Sequence, residues 1–166
     1  MAGSTSKRVV LYRYERHPVE GIISPGAYLQ EAGIELMSVN GALLVFPYPD
    51  VKALCFVHEF GDPRLFSEHN LFERRPRVPG LWTRFTLLDG DQLDGILPHN
   101  LLEWPSQGYT ITPPHATGLR QRVFIPRVAV KLTDLRGVVG ISLAGAAQER
   151  RRGRTTPEGQ LDMFSH

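Results

Sequence analysis

Short apolar runs separated by polar and turn-forming residues recur along the first third of the chain. Residues 33–37 alternate between apolar and polar positions, which is the period of a half-buried strand. Asn40 and Gly41 follow soon after and form the strongest hairpin signal in the chain. Further apolar runs bring the count to about five short strands in about fifty residues, a number typical of a small β-barrel. These further runs lie at residues 8–14, 19–23, 42–46 and 51–57.

A second stretch, residues 81–141, repeats this pattern in the same order. The sequence Val-Glu-Gly-Ile-Ile at 19–23 corresponds to Leu-Asp-Gly-Ile-Leu at 93–97, an offset of 74 residues. The Phe-Pro pair at 46–47 corresponds to the Ile-Pro pair at 125–126, an offset of 79 residues. The larger offset places a longer loop in the second copy. Matching order with one insertion predicts an internal duplication, and the alternative is that two antiparallel β-segments share a hydrophobic pattern by chance.

These patterns predict an all-β protein with two tandem small β-barrels. We expect the first barrel at residues 8–60 and the second barrel at residues 81–143. Between them, residues 61–80 are rich in proline, glycine and arginine and are predicted to form a linker. Residues 144–166 are predicted to form a flexible basic tail, because glycine and proline interrupt any helix there.

The composition bears on where the protein works. The 166 residues contain a single cysteine, Cys55, which excludes an intramolecular disulfide and is typical of a reducing cytosol. The chain has no run of about 20 consecutive apolar residues, which a membrane-spanning helix would need. Residues 1–7 are small and polar and lack the apolar core of a signal peptide. We therefore expect a cytoplasmic protein with no membrane contact.

The residue types that carry catalysis are scattered along the chain rather than grouped. The six histidines fall mostly in predicted loops, and His58 lacks the second histidine that a helical zinc site needs four residues away. Cys55 stands between two apolar residues in a predicted buried strand, where burial raises the pKa of a thiol and makes it inert. The sequence therefore predicts a non-enzymatic protein with no catalytic residue, no metal and no cofactor. The alternative is that His58 and His69 are metal ligands.

Positive charge is concentrated in arginine. The chain carries 19 basic and 17 acidic residues, a net charge of +2. The tail holds four arginines and three acidic residues, so 15 basic and 14 acidic residues remain in the rest of the chain. A near-neutral body argues against a dedicated nucleic-acid face. Within it, Arg74, Arg75 and Arg77 of the linker are a candidate phosphate site, and the alternative is a solvated run of charge.

Residues 8–60 resemble a family of uncharacterised bacterial domains of the Sm-like small-barrel type, often found beside PilZ or response-regulator modules. The resemblance depends on the Val-Glu-Gly hairpin at residues 19–21 and the apolar strand at residues 51–57. It covers the second copy more loosely and implies an Sm-like fold that binds RNA. The Arg-Gly pair at 136–137 matches the second Sm motif, whereas residues 25–27 lack the Asp and Asn of the first.

The linker has a resemblance of its own. Its run Arg-Arg-Pro-Arg at residues 74–77 is similar to the arginine-bearing loop with which PilZ domains bind a cyclic dinucleotide. The following strand, at residues 85–90, lacks the Asp/Asn-x-Ser-x-x-Gly pattern that completes that site. The resemblance therefore implies only the first half of a cyclic-dinucleotide site.

The sharpest motif of the chain is a five-residue peptide in the tail. It is similar at every position to the peptide with which bacterial replication and repair proteins bind the DNA sliding clamp: Gln160, Leu161, Asp162, Met163 and Phe164. The stretch before it is rich in arginine and glycine and cannot fold alone. Its apolar side chains are therefore expected to insert into a pocket on a partner. The alternative is that they fold back and cap one barrel of the same chain.

These features together predict a non-enzymatic adaptor that docks on the DNA sliding clamp through its tail and acts near DNA. The tail arginines are expected to add a salt-dependent, non-specific attraction to nucleic-acid phosphates. They are Arg150, Arg151, Arg152 and Arg154. One alternative is an Sm-like or PilZ-like regulatory module that binds RNA or a cyclic nucleotide. Another is a structural assembly subunit that uses exposed strand edges, and the sequence leaves the oligomeric state open.

Overall fold

Strands form where the sequence is rich in β-branched, leucine and aromatic residues and alternates in polarity. The computed structural model describes residues 5–116 and 119–140. The all-β prediction is confirmed, since the helical segments within these residues are three 3₁₀ turns of three residues each. The predicted tail, with its clamp-like motif and its four arginines, lies outside the described residues.

The ten strands divide between two halves of the molecule, residues 7–57 and residues 80–139. The first half holds β1 Lys7–Tyr12, β2 Val19–Ile23, β3 Ile34–Ser38, β4 Leu43–Phe46, a 3₁₀ turn Tyr48–Asp50 and β5 Ala53–Val57. The second half holds β6 Gly80–Leu87, β7 Gln92–Leu97, a 3₁₀ turn Leu101–Glu103, β8 Gly108–Ile111, β9 Arg122–Pro126, a 3₁₀ turn Arg127–Ala129 and β10 Val130–Val139.

The strands form two antiparallel sheets that are joined by one isolated β-bridge. The larger sheet has the order β4-β3-β2-β1-β5-β9-β8, and the smaller has the order β10-β6-β7. An isolated bridge between Ile96 and Thr112 connects β7 with the residue after β8. Through this bridge, the strand order of the second half, β9-β8-β7-β6-β10, matches the order β4-β3-β2-β1-β5 of the first.

The two halves also share hydrogen-bond registers. The pairing of β1 with β2 is repeated residue for residue by β6 with β7, at the predicted offset of 74. Gly21 of β2 and Gly95 of β7 therefore occupy the same register position, as the sequence predicts. Pro47 and Pro126 both precede a 3₁₀ turn, with φ of −58° and −56°. These matches support the predicted duplication.

Close packing explains why the two equivalent strand positions are glycine. A Cβ atom on Gly21 would lie 2.6 Å from Cδ1 of Leu36, and one on Gly95 would overlap Cδ1 of Ile111. Leu36 of β3 and Ile111 of β8 are both buried, and each side chain packs over the equivalent glycine of its half. Any side chain at either position would push a core residue out of place.

The predicted closure of each half into a barrel is not confirmed, because neither sheet closes on itself within the described residues. A barrel in the first half would need β4 to meet β5, since these strands stand at the ends of its strand order. Instead, the second edge of β5 pairs with β9, and Leu54 lies opposite Phe124. This pairing also separates β9 from β10, the two strands that would have to meet in the second half.

Two apolar cores result, and β5 contributes to both. One core lies within the first half and includes Val9, Leu11, Ile23, Ile34, Leu36, Leu54, Phe56 and Phe124 of β9. The other lies between the halves and includes Val10, Cys55, Val57, Phe85, Leu93, Leu97, Ile111, Val123 and Ile125. The two faces of the sheet around β1 and β5 are thus both buried, which explains why all five residues of β5 are apolar.

The linker packs against both halves. Leu65 is fully buried in the core between the halves, and the ring of Phe66 meets Tyr12 edge to face at 5.4 Å. The guanidinium of buried Arg120 donates hydrogen bonds to five main-chain carbonyl oxygens, four of them in the linker. The acceptors are the carbonyls of Pro63, Arg64, Glu68, His69 and Pro114, at distances of 2.5 to 3.2 Å. This one side chain satisfies backbone groups of a segment that has no sheet of its own.

Candidate functional site

A cleft of about 510 Å³ lies at the junction of the two halves. Its walls come from the turn before β3, from the end of the linker, and from β7, β8 and the loop between them. Most of the described lining residues are apolar. The lining includes Tyr28, Leu29, Val78, Pro79 and Trp104, together with the charged residue Arg122.

Hydrogen bonds hold the wall that the first half contributes. The hydroxyl of Tyr48 lies 2.8 Å from the carbonyl oxygen of Tyr28 and 2.6 Å from that of Gln30. The side-chain amide of Gln107, in the second half, donates to the carbonyl oxygen of Leu29 at 2.9 Å. The turn that carries Tyr28 and Leu29 is therefore bonded to both halves, and the cleft has a fixed wall.

The opposite wall is built by the loop between β7 and β8. Asn100 begins the turn Leu101–Glu103, and its side chain accepts a hydrogen bond from the N–H of Leu102 at 3.1 Å. The indole N–H of Trp104 donates to the carbonyl oxygen of Pro98 at 2.9 Å, which fixes the ring against the loop. Leu102 is 94% exposed at the rim. The wall thus presents one ordered aromatic ring and one solvated leucine.

Charge in the cleft is sparse. Among its described lining residues are one guanidinium, that of Arg122, and one carboxylate, that of Glu103. The Arg122 guanidinium lies 5.8 Å from the centre of the Phe56 ring, within the range of a cation–π interaction. A mostly apolar groove with one cation and one anion suits an apolar or aromatic group better than a polyphosphate.

Two of the three linker arginines predicted as a phosphate site meet at a shallower pocket of about 300 Å³. Arg74 and Arg75 line this pocket together with His115, whereas exposed Arg77 is not among its lining residues. Arg75 Nη2 donates to the carbonyl oxygen of Val138 at 2.6 Å and so attaches the linker to β10. The structure therefore brings Arg74 and Arg75 together and gives Arg75 a structural contact as well.

A buried carboxylate also anchors the linker, and no sequence motif indicated it. Asp94 of β7 is fully buried and accepts hydrogen bonds from Arg84 Nε at 2.7 Å and Nη2 at 3.1 Å. It also accepts from the indole N–H of Trp82 at 3.2 Å and the main-chain N–H of Phe72 at 2.9 Å. The hydrogen bond to Asp94 raises the pKa of Arg84. Because the Asp94 carboxylate accepts four hydrogen bonds from groups of the same chain, we interpret this pair as structural.

The cysteine and the histidines of the described residues are not grouped into a metal-binding or catalytic cluster. Cys55 is fully buried, and burial raises the pKa of its thiol to about 12. His58 is exposed, with its Nδ1 atom 2.9 Å from the amide nitrogen of Gln121. His69 instead stacks on His115, their ring centres 4.0 Å apart. Within the described ranges, no group of three His, Cys, Asp or Glu side chains is placed to hold a metal ion.

The cleft itself is absent from the sequence-based prediction. Tyr28, Trp104 and Arg122 are separated by 76 and 18 positions and have no common spacing. The aromatic residues among them carry no motif that distinguishes a groove wall from a core. The sequence signal closest to the site is the predicted junction between the two copies, because clefts form preferentially where domains meet.

Comparison with known proteins places the chain in a family. A family model described as a family of unknown function, DUF6982, matches residues 5–137. The chain belongs to DUF6982. The match covers both halves and the linker and ends before the tail motif begins. No curated protein and no solved structure matches the chain.

In the described part of the chain, no helix has the length and apolar character required to span a bilayer.

Proposed function

We propose that this DUF6982 protein is a non-enzymatic adaptor that docks on the DNA sliding clamp through residues 160–164 and acts near DNA. The observation that carries the proposal is the agreement of all five residues, Gln-Leu-Asp-Met-Phe, with the clamp-binding peptide. Leu161 and Phe164 are the anchors, because large apolar side chains buried in a partner pocket supply most of the binding energy of such peptides. Gln160 forms hydrogen bonds at the rim of that pocket.

The basic stretch before the motif supports a position beside duplex DNA. Arg150, Arg151, Arg152 and Arg154 stand six or more residues before Gln160. Arginine side chains this close to a clamp that encircles DNA gain from contacts with the phosphate backbone, an attraction that falls as salt rises. The body carries almost no net charge and contributes little to this term.

The number of residues between β10 and the motif is compatible with an adaptor role. Val139 of β10 lies opposite Gly80, and Val78 and Pro79 directly before it belong to the wall of the cleft. About twenty residues separate Gly140 from Gln160, a reach of at most about 70 Å when fully extended.

Calorimetric titration of the purified clamp tests the proposal. The unaltered protein should bind, and the double variant L161A/F164A should lose measurable affinity, because truncated anchors typically cost about 2 kcal/mol or more each. The matched variant T155A/T156A, with the same number of changes in the same segment, should bind as the unaltered protein does. All three proteins should have the same melting temperature.

The fold-back alternative predicts the opposite pattern. If Leu161 and Phe164 cap the body of their own chain, none of the proteins binds the clamp, and L161A/F164A melts at a lower temperature than T155A/T156A. Absence of clamp binding by the unaltered protein at high micromolar concentration would end the adaptor proposal.

A second candidate is a regulatory module of Sm-like or PilZ-like type that binds RNA or a cyclic nucleotide. The strand order β4-β3-β2-β1-β5 and its repeat in the second half support an Sm-like origin for each half. The pocket shared by Arg74 and Arg75 supports a phosphate ligand. Binding of RNA or a cyclic dinucleotide that survives removal of residues 144–166 and is lost in R74A would favour this candidate over the adaptor.

A further inference from the structure

The internal repeat allows the cleft to be compared with the same place in the first half. The pairing of Ile22 with Met37, between β2 and β3, recurs in the second half as the bridge of Ile96 with Thr112. A loop connects β2 with β3 in the first half, and another connects β7 with β8 in the second. The cleft lies between this second loop and β8. Its counterpart is the space between the first loop and β3.

In the first half, the loop itself fills this space. Ala27 is buried in the core of that half, and its carbonyl oxygen accepts a hydrogen bond from the N–H of Glu35 at 3.1 Å. The loop of the second half lies farther out, since its turn at residues 101–103 is exposed throughout. The second half therefore has an open cleft where the first half has a peptide segment of its own.

A main-chain donor of β8 faces the cleft. Thr112 donates to the carbonyl oxygen of Ile96 at 3.1 Å and accepts from its N–H at 2.9 Å. Because alternate residues of a strand direct their main-chain groups to the same side, those of Thr110 face the same way. Thr110 is the counterpart of Glu35, and its N–H has no acceptor among the described residues. The hydrogen bond that Ala27 accepts in the first half is thus open to an outside carbonyl group.

One cation of the cleft also lacks a charged partner. The guanidinium of Arg122 lies against the ring of Phe56 but makes no hydrogen bond or ion pair with the residues that the structure describes. Thr110 lies opposite Phe124, and Arg122 is two positions from Phe124, so the Arg122 and Thr110 side chains share one face of the sheet. The walls around these polar groups are mostly apolar. A carbonyl oxygen, a small apolar side chain and a carboxylate together match this arrangement.

We propose that the cleft binds an extended peptide segment of a partner protein, in the position that Ala27 and its neighbours have in the first half. A main-chain carbonyl of the peptide accepts from the Thr110 N–H, a small apolar side chain packs between the walls, and an acidic side chain pairs with Arg122. Main-chain hydrogen bonds combined with pockets for single side chains are a recurrent mode of peptide recognition. The site depends on neither the tail motif nor the clamp.

NMR titration of the full-length protein with a synthetic peptide tests the proposal. The probe is the blocked peptide Ser-Pro-Gly-Ala-Tyr-Leu-Gln-Glu, which has the sequence of residues 24–31 and so contains the segment that fills the first half. At about 2 mM it should move the amide signal of Thr110 and the indole signal of Trp104, and it should slow hydrogen exchange at the Thr110 amide at least fivefold. The indole signal of Trp82, which is bonded to buried Asp94, should not move.

Charge variants on both sides test the contact with Arg122. The unaltered protein should bind the probe at least threefold more tightly than a matched peptide that ends in glutamine. The variant R122Q should bind the two peptides equally, because it lacks the cation that distinguishes them. The control R16Q removes an exposed arginine that does not line the cleft, and it should behave as the unaltered protein does.

Three results would overturn the proposal. The first is an unchanged Thr110 amide at about 2 mM probe, and the second is the same preference for the acidic peptide in R122Q as in the unaltered protein. The third is a shift of the Trp104 signal with about 5 mM indole and none with the peptide, which would make the cleft a small-molecule pocket. The variant L161A/F164A should bind the probe normally, so this proposal and the clamp proposal fail independently.

Discussion

Removal of the Arg120 guanidinium is the perturbation for which the structure specifies the consequence most fully. Arg120 is 5% exposed, and its five N–H groups reach five carbonyl oxygens in the linker and in the loop before β9. Arg64, Glu68 and His69, which supply three of these oxygens, are exposed residues. Pro63 and Pro114, which supply the other two, are buried. The variant R120M therefore leaves two buried acceptors without a donor.

The magnitude follows from those two acceptors. The three carbonyls on exposed residues regain water, whereas each buried carbonyl left unpaired costs about 1–3 kcal/mol. Part of this loss is returned, because methionine carries no charge to desolvate. We expect R120M to lower the free energy of unfolding by about 3 kcal/mol. For a chain of this length, that corresponds to a fall of about 6–12 °C in the melting temperature.

The conservative variant R120K separates hydrogen bonding from charge. Lysine retains the positive charge but has three donors on a single nitrogen and lacks the planar fork that reaches both segments. Its free energy of unfolding should therefore lie between those of R120M and the unaltered protein.

Urea unfolding followed by tryptophan fluorescence measures these differences. The control is R16M, a change of the same type at an exposed position, which should alter the free energy of unfolding by less than about 0.5 kcal/mol. A loss below about 1 kcal/mol in R120M would refute the reasoning, as would equal stabilities of R120K and the unaltered protein. Either result would mean that the linker does not depend on this side chain.

Two further predictions concern buried positions. The variant G95A should lose about 1–3 kcal/mol of stability, because its new methyl group would overlap Ile111. The control G140A, whose new Cβ would have no atom of the described residues within 4 Å, should be neutral in the same urea assay. Cys55 should resist thiol reagents at pH 8 until the protein is unfolded. Because the folded state raises the pKa of this thiol from its ordinary value of 9.0 to about 12, its contribution to stability is complete below pH 9 and is lost as the pH rises toward 12. Thermal melts across that range should fall less steeply for C55A than for the unaltered protein.

Much of the fold is encoded locally and was therefore predictable. Asn40 and Gly41 give the tight connection between β3 and β4, with Gly41 at φ +88°, and the turn between β6 and β7 has Gly90 at φ +89°. Such backbone angles are accessible to glycine at little cost. The equivalence of Gly21 and Gly95 was likewise visible, because the sequences around them match.

The candidate sites were predictable only in part. Arg74 and Arg75 are neighbours in sequence, so their meeting at one pocket was foreseeable, but the hydrogen bond from Arg75 to Val138 joins residues 63 positions apart. Asp94 and Arg120 read as ordinary charged residues. Their roles come from backbone and side-chain groups that only the folded chain brings within hydrogen-bonding distance.

The sequence by itself determined the all-β class, the order of the strands along the chain and the matching positions in the two halves. These features could be predicted because side-chain alternation and turn chemistry act over a few residues. Only the tertiary structure decided which strand edges meet. Since β5 pairs with β9 rather than with β4, the halves form one connected set of strands instead of two closed barrels. That choice depends on the burial of Phe124 and the anchoring of the linker by Arg120, and both are contacts between distant parts of the chain.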